Sequence, residues 1–191
     1  MSFESRTRTE PLTALPDGPL AFAVIDVDGF DLVNDQDGFE AGDRVLAAVE
    51  DALLAGLPGG TTLGHVKGDE WRVAMPDATP EELLVVLDGI RRHLATDGPI
   101  TIAGGVAGRP QHGETLEDLL SAADAAQTRA KDGGGNRIAI AAAETMVLTS
   151  SYYTRASLRR LSKLSERTQQ TEASHLRTAL DAHLAKHRDL V

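Results

Sequence analysis

Residues 20–31 read LAFAVIDVDGFD, and residues 62–71 read TLGHVKGDEW. The first stretch is a continuous apolar run that ends in Asp26, which is typical of a buried strand. The second stretch has two extended segments around a tight turn, which predicts a β-hairpin with Asp69 and Glu70 at its tip. A strand end and a hairpin tip can bring three carboxylates together. Oxygen ligands of this kind suit hard divalent cations, so the pattern favours phosphoryl transfer.

The chain up to residue 142 alternates between helical and extended patterns. Apolar spacing predicts three helices and two further strands, at residues 40–56, 80–94, 115–131, 100–107 and 137–141. Together with the first strand and the hairpin they give the order β-α-β-β-α-β, followed by an extra helix and strand. This order predicts the α+β class and a ferredoxin-like palm domain over residues 20–142.

Composition limits the remaining possibilities. The chain has 191 residues, no cysteine and a formal net charge of −10. The absence of cysteine excludes disulfides and thiolate metal sites. No apolar run approaches the ~20 residues of a membrane span, and residues 1–19 read as a flexible polar arm rather than a signal peptide. We therefore expect a cytoplasmic protein without a membrane partner.

The tail, residues 146–191, differs in charge and pattern from the palm. It carries eight Lys and Arg against four Asp and Glu, a local charge of +4. A short strand is predicted at residues 149–154, and helices at 155–168 and 172–187. The positive charge is compatible with a nucleic-acid partner, or equally with solvated helix faces.

The palm segment resembles the GGDEF domain, the catalytic domain of diguanylate cyclases, over roughly residues 11–141. The resemblance is carried by motifs in the family's order, namely Asp26–Asp31, Asn34-Asp35, Gly38–Asp43, Lys67–Trp71, Thr101–Ala107, Leu119–Ala126, Ala130-Lys131 and Asn136-Arg137. Each motif is weak alone, because an acidic hairpin tip or an acid in the first turn of a helix is common. Their shared order favours the family fold.

The resemblance implies roles for individual residues. Mg²⁺ or Mn²⁺ would be held by the carboxylates of Asp26, Asp69 and Glu70 and by the carbonyl of Val27, with Asp69 and Glu70 acting as catalytic residues. Asn34 and Asp43 match the family's guanine-reading positions, because a carboxylate can accept from the N–H groups of guanine. The remaining implied nucleotide contacts are Gly29, Phe30, Asp31, Lys67, Gly68 and Lys131.

Several positions depart from the family pattern, and three of them concern phosphate charge or the approach of substrate. Asp31 stands where the family has a lysine, Gly135 where it has an arginine, and Lys67 where it has the first glycine of the hairpin motif. The first two changes remove positive charge from the expected triphosphate side. Lys67 would either supply a cation from the opposite side or obstruct the second nucleotide.

The tail resembles the ribbon-helix-helix family, through Leu161–Thr168 and Thr171–Leu180. That family forms an intertwined dimer and lays paired strands in the DNA major groove. The resemblance implies a homodimer and DNA contacts by Ser151, Tyr152, Arg155 and Arg159. A helical hairpin packed on the palm is the structural alternative.

The sequence thus predicts a metal-dependent nucleotidyltransferase that condenses two GTP molecules into cyclic di-GMP and is dimerised by its tail. One alternative is a regulator that senses a nucleotide without turnover and binds a DNA operator. Another is a minimal palm that makes a different cyclic nucleotide.

Overall fold

The structure of the chain, a computed structural model, describes residue 15 and residues 18–142, 151–168 and 171–187. The predicted arm, residues 1–19, lies almost wholly outside them. The described elements are β1 (Leu20–Val27), α1 (Phe30–Asp37), α2 (Phe39–Gly56), β2 (Thr62–Lys67), β3 (Glu70–Pro76), α3 (Pro80–Asp97), β4 (Ile102–Arg109), α4 (Leu116–Asp132), β5 (Arg137–Ile140), α5 (Arg155–Thr168) and α6 (Glu172–Lys186). The predicted α+β order is confirmed, and α1 is an additional helix that the sequence patterns did not predict.

The palm is built on one five-stranded sheet of mixed direction, in the order β2-β3-β1-β4-β5. Strand β1 pairs antiparallel with β3 and β4, β2 pairs antiparallel with β3, and β5 runs parallel to β4. Because β1 is central and covered on both faces, its apolar residues alternate between two cores rather than between core and solvent.

The two faces of the sheet bury different sets of side chains. One face packs against α2 and α3, with Ile25, Trp71 and Val73 among its fully buried residues. The other face packs against α4 and buries Phe22 and Val24. The strand period of two therefore places Asp26 on the α4 face, next to the apolar Phe22 and Val24.

Helices α3 and α4 begin at capping boxes. The side chain of Thr79 accepts a hydrogen bond from the amide of Glu82, and Glu82 accepts one from the amide of Thr79. Thr115 and Asp118 make the same reciprocal pair at α4. These caps satisfy amides that the first helical turn leaves without partners. They fix the start of α4, and hence the position of the residues at its far end.

Helix α4 lies unusually close to strand β4. A Cβ atom on Gly105 would overlap the carbonyl oxygen of Ala123 and the amide nitrogen of Gln127. Glycine is therefore required at this point of β4, because any side chain would push against the helix backbone. The close approach brings the last turn of α4 over the end of β1.

The chain divides into two compact units, residues 1–145 and 146–191. In the second unit α5 and α6 pack on each other, as helices that match the two predicted ones. The predicted strand is not present at residues 151–154 in the single chain, and residues 149–150 lie outside the described part. Among the described residues no helix is both long enough and apolar enough to span a bilayer.

Candidate nucleotide and metal site

The end of β1 lies beside the tip of the β2–β3 hairpin. Asp26 is the direct register partner of Glu70 across the β1–β3 ladder. Asp69 occupies the turn before β3, and it is close enough for its charge to act on Asp26. The fold thus brings the acidic end of β1 beside the acidic hairpin tip, at one end of the strands, as the sequence predicted.

The hairpin tip is braced by a histidine that the sequence reading did not single out. The His65 Nε2 atom lies 2.8 Å from the carbonyl oxygen of Gly68, and the His65 ring packs on Trp71 at a centroid distance of 5.0 Å. Gly68 has a φ of 53°, in the left-handed region that favours glycine. Lys67 is exposed beside this turn. Ring and turn together fix the backbone that carries Asp69.

Asp26 forms an ion pair with Lys131. The Nζ atom of Lys131, one residue before the end of α4, lies 2.7 Å from Oδ1 of Asp26. The side chain of Asp26 is 17% exposed and that of Lys131 is 44% exposed. The pKa of Asp26 is raised from its ordinary 3.8 to about 6. Burial is the largest cause, the hydrogen bond from Lys131 lowers the pKa in part, and the charge of Asp69 raises it. The ionised carboxylate therefore depends on a neighbouring cation.

Glu70 has a different cation partner, Arg72, two positions along β3. The Nη2 and Nε atoms of Arg72 lie 3.0 and 3.1 Å from Oε1 of Glu70. Asp124 of α4 is close enough to this pair for both charges to act on it. Burial and the charge of Glu70 raise the pKa of Asp124, and the charge of Arg72 lowers it. The sequence reading did not identify Arg72 or Asp124. The available signal was the strand period of two, which places Arg72 on the same face as Glu70.

The predicted group of three carboxylates is not assembled as such. Within the described ranges, no three or more His, Asp or Glu side chains are placed to hold a metal ion together. Glu70 is paired with Arg72 through Oε1. The donor set still suits Mg²⁺, which proteins usually bind through one or two carboxylates together with substrate phosphates. Asp26 and Asp69 fit that smaller set. The ammonium group of Lys131 forms an ion pair with Asp26 in this structure.

The turn between β1 and α1 presents backbone amides. Gly29 precedes α1 with a φ of 69°, and no side chain caps this end of the helix. The first amides of a helix have no partners within the helix, so they can donate to phosphate oxygens. Gly29 and Asp31 are exposed, and Phe30 is half-buried. The exposed carboxylate of Asp31 lies in the first turn of this helix, and its negative charge would repel a phosphate bound to these amides.

The two predicted guanine-reading residues are brought to adjacent helices. The side-chain oxygen of Asn34 on α1 lies against Gly42 on α2, so that any side chain at Gly42 would overlap it. Asp43 is the next residue, and both Asn34 and Asp43 are half-buried. Phe30 also packs against Gly42. Because Gly42 has no side chain, there is space beside it for the side-chain amide of Asn34.

The turn that follows α4 is held to the end of β1. The carboxylate of Asp28 accepts a 2.7 Å hydrogen bond from the amide of Asn136, and the side-chain oxygen of Asn136 accepts one of 2.8 Å from Arg91. Gly135 has a φ of 69°, and a Cβ atom there would overlap the Asp28 carboxylate. Position 135, where the family has an arginine, is thus occupied by a glycine that lies against the Asp28 carboxylate.

The four predicted DNA contacts lie in the second unit. Ser151, Tyr152, Arg155 and Arg159 are all exposed, and α5 adds the exposed cations Arg160, Lys163 and Arg167. Glu166 is the single acid of α5. This is a strongly basic helix surface, which suits contacts to phosphate.

Replacing Asp26 with Asn is expected to stabilise the nucleotide-free palm at pH 8 but not near pH 4. Because the pKa of Asp26 is raised on folding, the folded chain binds the proton more tightly, and the free energy of unfolding falls as pH rises from about 4 to about 6. A neutral amide avoids that loss, so the gain at pH 8 is up to about 3 kcal/mol.

Urea titrations at both pH values, followed by the fluorescence of Trp71, the chain's only tryptophan, measure this difference. A gain of the same size at both pH values would contradict the prediction.

Known proteins match the palm along most of its length. Residues 2–137 match the family described as "Diguanylate cyclase, GGDEF domain". The GGDEF domain of DgcB from Caulobacter crescentus, solved in complex with c-di-GMP, superposes with a TM-score of 0.60 at 26% identity, over 64% of this chain and 77% of that one. The GGDEF domain of PA1120 from Pseudomonas aeruginosa gives a TM-score of 0.61 at 29% identity, over 65% and 77%.

Among curated relatives, the bifunctional diguanylate cyclase/cyclic di-GMP phosphodiesterase MucR of Pseudomonas aeruginosa is 30% identical over 124 residues, which is 60% of this chain and 18% of MucR. An uncharacterised protein of Mycobacterium tuberculosis H37Rv is 31% identical over 139 residues, 68% of this chain and 22% of its own length. The chain therefore spans less than a quarter of these relatives. The sheet order, the paired acids of β1 and β3 and the family match together show that this chain belongs to the GGDEF family of diguanylate cyclase-like domains.

Proposed function

We propose that the palm binds GTP with Mg²⁺ or Mn²⁺ and condenses two GTP molecules into cyclic di-GMP, releasing two pyrophosphates. The observation that carries the proposal is the register pairing of Asp26 with Glu70, which sets the end of β1 beside the hairpin turn that bears Asp69. The family match supports it, because the matching family is described as "Diguanylate cyclase, GGDEF domain".

Each residue in the proposal has a task that its position allows. Asn34 and Asp43 hydrogen-bond the guanine edge between α1 and α2. The amides of Gly29, Phe30 and Asp31 receive phosphate oxygens at the start of α1. Lys67, Gly68 and Lys131 contact the nucleotide from the hairpin and from the end of α4.

The acids at the end of β1 and in the hairpin turn form the metal-binding part of the proposal. Asp26, Asp69 and the carbonyl of Val27 hold the metal, and Arg72 fixes the rotamer of Glu70 beside them. A bound divalent metal would neutralise charge that develops on the phosphate oxygens. The residues themselves orient the 3′ hydroxyl of one GTP toward the α-phosphate of the other.

The reaction needs two palms, because each holds one GTP and attacks the nucleotide of the other. We propose that the tail supplies this homodimer as a ribbon-helix-helix module. In the single chain Leu158, Leu164 and Leu180 are 42%, 46% and 57% exposed, which leaves apolar surface for a partner. Light scattering should give twice the mass of the chain, and a monomer at micromolar concentration would contradict the tail proposal alone.

Incubation of the purified full chain with GTP and Mg²⁺, followed by chromatography and mass spectrometry, tests the enzyme proposal. The expected products are cyclic di-GMP and pyrophosphate. ATP, CTP and UTP serve as parallel substrates, so that a different cyclic nucleotide would be detected. No dinucleotide from any of the four nucleotides or their pairs would overturn the proposal.

A second candidate is a regulator that binds nucleotide without turnover and binds DNA through its tail. It is favoured by Asp31 and Gly135, which leave the triphosphate side without two cations of the family pattern. In this candidate Ser151, Tyr152, Arg155 and Arg159 contact an operator. A gel-shift assay with and without GTP, using Arg155→Glu as the matched variant, tests it. Equal migration of DNA with either protein would overturn it.

A further inference from the structure

An ammonium group already pairs with one carboxylate of the proposed metal site. Lys131 Nζ is 2.7 Å from Oδ1 of Asp26, which is charge-assisted hydrogen-bond distance. A carboxylate that is 17% exposed has little water to replace this partner. In the nucleotide-free protein, a metal at this oxygen of Asp26 would therefore lie beside a positive charge, so its binding competes with the ammonium.

The two internal cations of the site differ in how firmly they are held. Arg72 contacts Glu70 through two nitrogens, is 23% exposed and also acts on Asp124 through its charge. Lys131 makes one contact with Asp26, and its side chain is 44% exposed. A lysine is a point charge on a flexible four-carbon stem, whereas a guanidinium is planar and rigid. Lys131 is thus the partner that can move while its helix stays in place.

A destination for the ammonium lies close by in the chain. The uncapped start of α1 begins four residues after Asp26, and the turn that follows Lys131 is tied to Asp28 through Asn136. Phosphates seated on the amides of α1 would therefore lie at the same end of β1 as the Lys131 ammonium. A triphosphate carries more negative charge than a single carboxylate, so it competes for this cation.

We infer that Lys131 is an exchangeable internal cation: it neutralises Asp26 in the nucleotide-free protein and transfers to the phosphates when nucleotide binds, which frees Asp26 for the metal. The inference rests on the proposed function, because it takes a triphosphate and a divalent metal as ligands. Its consequence is that metal and nucleotide bind with positive cooperativity. Lys131 acts here as a positioning residue that controls when Asp26 can coordinate.

Calorimetry of Mn²⁺ binding to the nucleotide-free full chain tests the inference without any measurement of activity. Lys131→Met is expected to bind Mn²⁺ on the order of tenfold more tightly than the wild type, because its Asp26 has no internal partner. In the same variant, metal-free affinity for GTP is expected to fall on the order of tenfold. The gain in Mn²⁺ affinity caused by a non-hydrolysable GTP analogue should shrink accordingly.

Two control variants make the result specific. Lys186→Met removes one exposed positive charge from α6 and should change neither affinity. Lys131→Gln repeats the experiment with a polar side chain, and circular dichroism checks that each variant is folded. Wild-type affinity for nucleotide-free Mn²⁺ in both Lys131 variants would overturn the inference even if the protein makes cyclic di-GMP. Absence of Mn²⁺ binding with the analogue in the wild type would overturn the proposed function as well.

Discussion

Replacing Asp69 with Asn is expected to lower the rate of dinucleotide synthesis by on the order of a thousandfold, while the palm stays folded. Asp69 lies in the turn between β2 and β3, and its charge reaches Asp26. An amide of the same size keeps the turn but removes the negative charge that the metal needs. Removal of one charged group that acts on the transition state typically costs several kcal/mol of barrier, and 1.4 kcal/mol corresponds to about tenfold in rate.

The measurement is initial velocity of pyrophosphate release with saturating GTP and Mg²⁺. Asp77→Asn is the matched control, because Asp77 lies in the turn just after β3, at the opposite end of the strand from Asp69. Its φ of 53° is one that asparagine tolerates well. Equal rates for the Asp69 variant and the wild type would remove Asp69 from the proposed site.

Replacing Gly105 with Ala is expected to destabilise the palm by about 3 kcal/mol. The new Cβ atom would overlap backbone atoms of Ala123 and Gln127, and a helix backbone cannot move aside as a flexible side chain can. Helix α4 must therefore shift away from β4, which opens the core that contains Phe22. The midpoint of thermal unfolding should fall by roughly 3 °C per kcal/mol for a domain of this size.

Gly89→Ala is the control for this substitution. Gly89 lies in α3, and a Cβ atom there would meet nothing within 4 Å. Because alanine favours the helix over glycine, this change should stabilise the palm by up to about 1 kcal/mol. Unfolding of both variants followed by Trp71 fluorescence compares them directly. A Gly105 variant as stable as the wild type would show that α4 is not as closely packed as described.

The sequence predicted the parts of the fold that depend on local patterns. The apolar run of β1 and the turn before Glu70 gave the strand and the hairpin, and their motifs led to the family. Helix α1 was missed because its residues are mostly polar and none is buried, so no apolar period marks it. The β-α-β-β-α-β order was predictable because its other helices bury one apolar face.

The sequence indicated the acids that meet at the end of β1, but not the cations with which they pair. Asp26, Asp69 and Glu70 follow from motif order, and the structure brings Asp26 and Glu70 into register. The pairing of Lys131 with Asp26 spans more than a hundred residues and depends on how closely α4 approaches β4. No pattern near either residue predicts that distance. The tail remains a prediction in its ribbon, its dimer and its DNA contacts, because these require a second chain or nucleic acid.

The contact between Gly135 and Asp28 couples the residues that these two positions can accept. A single change of Gly135 to Arg would introduce a Cβ atom against the Asp28 carboxylate at a φ of 69°, so the backbone would be strained and the carboxylate would have to move. Shortening Asp28 first would remove the hydrogen bond to the amide of Asn136 and loosen the turn. Each change alone is therefore expected to destabilise the turn. An arginine at position 135 requires a compensating change at position 28, so the two positions are expected to accept substitutions only as a pair.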